Sequence, residues 1–175
     1  DAARYADTNG FSIDGGRHAW LWRDYVIAAF AANKPYDRFL LEQLAGDLLP
    51  DATEETRIAT GFQRNNMVTH EGGTIAAENL VTYGADRTKA FGEAVLGLTI
   101  GCAQCHDHKF DPITQRDYYS LFAYFNMGSE AAHDGDGGNN PNPVMQAHSV
   151  LQTGEEEALR VRIRALEAEL ASPPL

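Results

Sequence analysis

Basic residues are in short supply. The chain carries 14 Lys and Arg against 25 Asp and Glu, a formal charge of −11 over 175 residues. A surface that binds nucleic acid through phosphates needs a basic footprint, so nucleic acid is not an expected partner. The same deficit argues against docking on an anionic lipid surface. No run of about eighteen apolar residues occurs, so no membrane insertion is expected. No secretory leader is visible. The chain opens on "DAARYADTNG" without an initiator Met and reads as a piece of a longer protein, which leaves its compartment open. Strand patterns and internal repeats are missing too. Cysteine is the scarcest reactive residue: Cys102 and Cys105 are the only 2.

What is present folds. Hydrophobic residues make up 43 % and aromatics 10 %, enough for one domain with a sizeable core. The reading is all-α, an irregular multi-helix domain around a C-x-x-C-H site, with long loops and a C-terminal helix. Trp20, Tyr25 (or Trp22), Ile27 and Phe30 recur at helical spacing, in a helix that ends before Pro35. Pro35 opens a second helix, with Phe39, Leu40, Leu44 and Leu48 on one face and Pro50 closing it. Thr53 caps a short third helix that Gly61 stops. "NNMVTHEGG" is a polar loop. A long helical pattern runs from about Ala76 to Leu98, mildly broken by Gly84 and Gly92. Thr114, with Asp117 three residues on, caps a helix whose Tyr118, Leu121, Phe122 and Phe125 face a core.

Three parts result: a helical domain over 1–127, a Gly/Asn/Pro-rich surface loop over 128–150, and an amphipathic helix over 151–175. In the last, Leu159, Ile163, Leu166 and Leu170 step by four, three and four, a coiled-coil-like spacing. That stripe fits docking on its own domain or on adjoining sequence, and also fits a partner zipper.

The chemistry concentrates in "GCAQCHDHKFDP", Gly101 to Pro112. Cys102, Cys105 and His106 form C-x-x-C-H. Two thiols three residues apart can form thioethers with the two vinyl groups on one edge of a haem, and the next residue brings an imidazole to the iron. Other readings stay open. A redox C-x-x-C usually follows a strand in an α/β setting. A structural zinc site prefers two ligand pairs, and no second C-x-x-C or H-x-H exists. A disulfide is strained at this spacing. His108 can bond a haem propionate, donate a proton or join Asp111 in an alternative metal site, or simply bond Asp107 or Asp111. Lys109 and Arg116 can pair with propionates or be ordinary surface charge.

A proximal His106 leaves the opposite face of the iron to a second ligand, water or substrate. Candidates are His70, Met67, Met127, His133, Met145 and His148. His70 in "THEGG" is the candidate for distal ligand or distal acid–base group, because Gly72 and Gly73 would let backbone approach a flat cofactor; the other reading is a loop histidine bonded to Glu71 or backbone.

"NKPYDRFLLEQLAGDLLP", "IATGFQRNNMVTHEGG", "ENLVTYGADR" and "LGLTIGCAQCHDHKFDPITQRDYYSLFAYFN" occur in that order. Together they resemble a domain of unknown function from large secreted proteins of planctomycetes and related bacteria, over about Arg4 to Asn126. Those proteins carry a cytochrome c-like domain upstream and another uncharacterised domain downstream. The resemblance implies a periplasmic, secreted or cell-surface location, where c-type haem is attached. It implies a neighbouring cytochrome domain or another redox partner, and an association with polysaccharide breakdown. With the family pattern comes a second constellation: His70, Glu71 and Glu78, with Asp86 and Arg87 beyond. It could bind a hard cation or work as acid and base, or Glu71 and Glu78 could cap amides and pair with Arg87. Many relatives carry a second Glu where this chain has Ala77.

The expected function is therefore a haem c redox domain, for electron transfer or oxidative chemistry. The alternatives are a zinc- or calcium-dependent hydrolase or structural metal domain, and a non-catalytic adhesion or scaffold module. Whether the chain is an enzyme stays open.

Overall fold

A computed structural model describes residues 2–11, 14–132 and 140–171. It is all-α. Six α-helices follow in order among the described residues: α1 Trp20–Ala31, α2 Tyr36–Ala45, α3 Glu54–Ala59, α4 Ala76–Phe91, α5 Gln115–Phe125 and α6 Thr153–Ala171. A 3-10 turn, Thr60–Arg64, continues α3, and a second, Ile100–Gln104, lies between α4 and α5. The described extended pairings are two isolated bridges, Thr8 with Gly16 and Gly10 with Val68.

Two apolar clusters organise the body. The first joins Trp22, Tyr25 and Ala29 of α1 to Ile58, Ala59 and Phe62. The second joins Ile100 and Ala103 to Tyr118 of α5, with Ile113, Leu121 and Phe122 packed around them. Helix α4 runs beside α5, where Gly84 admits the Phe122 ring so closely that an added Cβ would sit 3.0 Å from it. Gly84 therefore packs the helix pair and does not break α4.

Several helix faces differ from the sequence expectation. In α1, Ile27 and Phe30 are exposed, and Trp22, Asp24, Tyr25 and Ala29 point inward. Helix α2 stops at Ala45, short of Leu48 and Pro50; Leu44 and Leu48 are exposed, and Glu42 and Gln43 are buried. The inward polar groups are satisfied. Glu42 accepts from the Tyr25 hydroxyl at 2.8 Å and from the Lys34 ammonium at 2.5 Å, and Trp22 donates to Gln43 at 3.2 Å. A buried carboxylate with several charged and neutral donors tolerates burial that an unpaired one would not. Helix α6 leaves Leu159, Ile163, Leu166 and Leu170 exposed, so no described residue covers the stripe. No helix among the described residues is long and apolar enough to cross a membrane.

The described parts of the 128–150 loop hold neither helix nor strand, and the far side is pinned. Arg64 donates to the carbonyls of Pro141 at 2.6 Å and Pro143 at 3.2 Å. Asn140 brackets the backbone of His18 with two bonds of 2.9 Å. His133 lies outside the described residues.

Candidate functional site

The C-x-x-C-H segment is positioned by the end of α4. There the helix widens into a π turn, Gly92–Leu96, and stops at Gly97, whose φ of +65° is left-handed. The chain doubles back, and the Leu98 amide donates to the Gly92 carbonyl at 2.9 Å. Ile100 then packs where a side chain on Gly92 would be: a Cβ there would lie 2.2 Å from its Cγ2. Any larger residue at 92 would displace the turn that carries both cysteines.

That turn is a 3-10 helix, with three residues per turn, so residues three apart lie above one another. Ile100 and Ala103 form its inner face and are buried at 5 % and 0 % exposure. Cys102 and Cys105 fall on the outer face, both exposed and both free thiols. Cys102 lies within the 3-10 turn and Cys105 is the residue that caps it.

Helix α5 underpins the turn. Its capping box is complete: Thr114 accepts from the Asp117 amide at 3.1 Å, and Asp117 accepts from the Thr114 amide at 2.9 Å. From the first turns of α5, Gln115 and Tyr119 both donate to the Gln104 carbonyl, at 3.0 and 3.1 Å. Asp107 accepts from the Gln115 amide at 2.7 Å. Tyr118 lies beneath, 1 % exposed, and its hydroxyl has no hydrogen-bond partner among the described residues. Burial, reinforced by Tyr119 and Cys105, pushes its phenol up to about 12, so it stays a neutral donor. Gln115, Tyr118 and Tyr119 were not singled out as site residues by sequence. Their signal was the i, i+4 spacing of Gln115 and Tyr119 just inside the Thr114 cap.

His106 is exposed, and its Nδ1 lies 2.7 Å from the Asp107 carbonyl. With the proton on Nδ1 donated to that oxygen, the Nε2 lone pair is the outward ligand atom, the arrangement metal-bound imidazoles use. His108 is different. Its side chain is 4 % exposed. Its Nδ1 accepts from the Asp111 amide at 2.9 Å and the Phe110 amide at 3.3 Å, and its Nε2 meets the Thr99 hydroxyl at 3.1 Å. Both nitrogens are thereby engaged in closing the loop. Asp111 places a carboxylate oxygen 3.2 Å from His108 Nδ1. Among the described residues no three His, Cys, Asp or Glu side chains form a metal-binding group. Lys109 is exposed, its ammonium 5.1 Å from the Phe110 ring centre, and Arg116 is exposed on α5.

His70 is fully buried and sits elsewhere. The neighbouring Thr69 amide donates to the Tyr83 hydroxyl at 2.9 Å, which in turn donates to the Ala132 carbonyl at 3.1 Å. The C-x-x-C-H turn instead packs against α4 at Lys89 and Gly92. Those positions lie roughly 9–14 Å further along the helix than Tyr83. Met127 follows the far end of α5, roughly 15 Å along it from Gln115. Met67 lies against Gly10, and Met145 lines a cavity beside Trp22. His148 is held by Glu54 at 3.2 Å. Glu71 and Glu78 are exposed, Asp86 pairs with Arg4, and Arg87 pairs with Glu130. The second constellation therefore does not converge.

The donor set fits a c-type haem: two exposed thiols on one face of a turn, followed by an imidazole whose free nitrogen points outward. The two described concave regions lie elsewhere, one beside Trp22 and one beside His148.

The chain matches the PSCyt2 family, described as a protein of unknown function (DUF1549), over residues 1–130, and it belongs to that family. No curated protein and no solved structure matches it.

Proposed function

We propose that this chain is a c-type haem-binding redox domain of an exported, multidomain bacterial protein. The observation that carries the reading is the pairing of the outer face of the 3-10 turn with the orientation of His106. Cys102 and Cys105 are free, exposed thiols three residues apart, and the Asp107 carbonyl leaves His106 Nε2 as the ligand atom. When bound, the haem supplies one-electron exchange at iron.

The chain's own residues do the rest. Cys102 and Cys105 would fix the porphyrin edge through two thioethers, which removes the need for an enclosing pocket. His106 would ligate the iron, and the Asp107 carbonyl would fix its tautomer and raise its basicity. Gln115 and Tyr119 hold the turn through the Gln104 carbonyl. Lys109 is the nearest exposed cation in sequence and is assigned to the propionates. An exposed cofactor edge suits exchange with a neighbouring cytochrome domain of the same longer protein. The PSCyt2 name and the resemblance to secreted planctomycete proteins support a periplasmic or cell-surface setting, with oxidative chemistry linked to polysaccharide breakdown.

The test is expression in a periplasm equipped for c-type maturation, followed by a denaturing gel stained for haem. Wild type should stain, and the Cys102→Ser, Cys105→Ser double variant should not. An unstained wild-type band with the maturation system working would overturn the proposal.

A further inference from the structure

The cavity beside Trp22 has a composition at odds with the rest of the chain. Its volume is about 220 Å³, and it lies between the start of α1, the 3-10 turn after α3 and the 140–147 segment. Acidic residues outnumber basic ones 25 to 14 over the whole chain. Yet the described lining residues include Arg17, Arg57, Arg64 and His18, and not one carboxylate.

Two of its groups are incompletely served. Arg17 is 8 % exposed, and its guanidinium donates only to backbone carbonyls: Ala6 at 3.0 Å, Asn66 at 2.7 Å and Asn65 at 3.0 Å. A guanidinium has five N–H donors, so two remain. No carboxylate among the described residues pairs with it, and a buried cation without a counter-charge is costly. Burial, with repulsion from Arg4, holds its pKa below the ordinary arginine value, against weaker support from Tyr5, Asp7 and Asp14. The second group is Asn9, fully buried in the same wall. Its Nδ2 donates to the Gly15 carbonyl at 3.0 Å, which fixes the amide orientation, and its Oδ1 has no partner among the described residues. At the rim, Arg57 is exposed, and its guanidinium makes no hydrogen bond or ion pair with a described residue.

The wall thus offers unspent cationic donors and an unspent acceptor. Its complement carries an anionic oxygen for the arginines and a hydroxyl donor for Asn9 Oδ1. The volume equals that of roughly seven waters and falls below the range of drug-sized pockets, so the complement is small. We propose that this cavity binds a small hydroxylated organic anion, with Arg17 and Arg57 on the oxyanion and Asn9 on a hydroxyl. This site is independent of the C-x-x-C-H turn.

Trp22 lines the cavity and reports on it, and the chain has only 2 tryptophans. The experiment titrates the full chain with gluconate and glycerate, with acetate and glucose as probes carrying one feature each, following tryptophan fluorescence and melting temperature at constant ionic strength. Gluconate or glycerate should saturate and raise the melting temperature, and acetate and glucose should bind at least tenfold more weakly, since each forfeits a hydrogen-bond class. Arg57→Gln, at an exposed position where folding is not at stake, should weaken the hydroxy acids about tenfold. Saturation by glucose as tight as by gluconate, an unaltered affinity in Arg57→Gln, or no saturation by either hydroxy acid would each overturn the proposal.

Discussion

Nδ1 of His108 accepts the Asp111 amide at 2.9 Å, so the imidazole acts as an internal staple of the loop that follows the cysteines. The proton then sits on Nε2, facing the Thr99 hydroxyl at 3.1 Å. Two amides outweigh the nearby Asp111 carboxylate in choosing this tautomer, because protonating Nδ1 would orphan both.

His108→Ala should therefore destabilise the fold by about 1 kcal/mol, roughly the net worth of a hydrogen bond at a part-buried position. It should leave covalent attachment at Cys102 and Cys105 intact. Chemical denaturation together with haem staining checks this. Loss of a stoichiometric metal with unchanged stability would instead make His108 a ligand.

His70→Ala should also act on stability and not on the iron. His70 is fully buried beside the Thr69–Tyr83 link, away from the turn. Removing it should cost about 1–3 kcal/mol and leave the ferric absorption spectrum of the haem-loaded protein unchanged. A low-spin to high-spin conversion in this variant would restore His70 as the distal ligand.

Glu42 sets an acid limit on the fold. Burial opposes its ionisation, but hydrogen bonds from Lys34, Tyr25 and Arg38 outweigh burial and hold its pKa below the usual glutamate value. A depressed folded pKa contributes stability that is present above the unfolded value, about 4.3, and is lost as pH falls through the folded value. Glu42→Gln should lower stability near neutrality by about 3 kcal/mol, since it strips a buried charge from its partners. It should also flatten the fall in melting temperature below about pH 4.3. Parallel pH profiles for variant and wild type would show that Glu42 carries no such linkage.

Local signals were legible. Thr53 and Thr114 cap their helices as their spacing requires, because a capping box is closed within four residues. Helix faces were harder. The apolar face expected for α2, Phe39, Leu40, Leu44 and Leu48, leaves out Glu42 and Gln43, which are buried against Tyr25 and Trp22, 17 and 21 residues away. Arg87 reads as a mate for Glu71 or Glu78, but pairs with Glu130, 43 residues on. Polar pairing at long range inverts a hydrophobic pattern, and periodicity alone does not register it. The arginine-lined cavity is hidden in the same way: Asn9, Arg17, Arg57 and Arg64 meet only through tertiary packing.

The central claim is covalent haem at Cys102 and Cys105. Its most direct measurement is the pyridine haemochrome spectrum of the denatured protein after c-type maturation, with intact mass on the same sample. One haem per chain should survive denaturation, with a spectrum typical of two thioethers, and should be lost completely when both cysteines become alanine. A matured protein that holds stoichiometric zinc and no haem would contradict it.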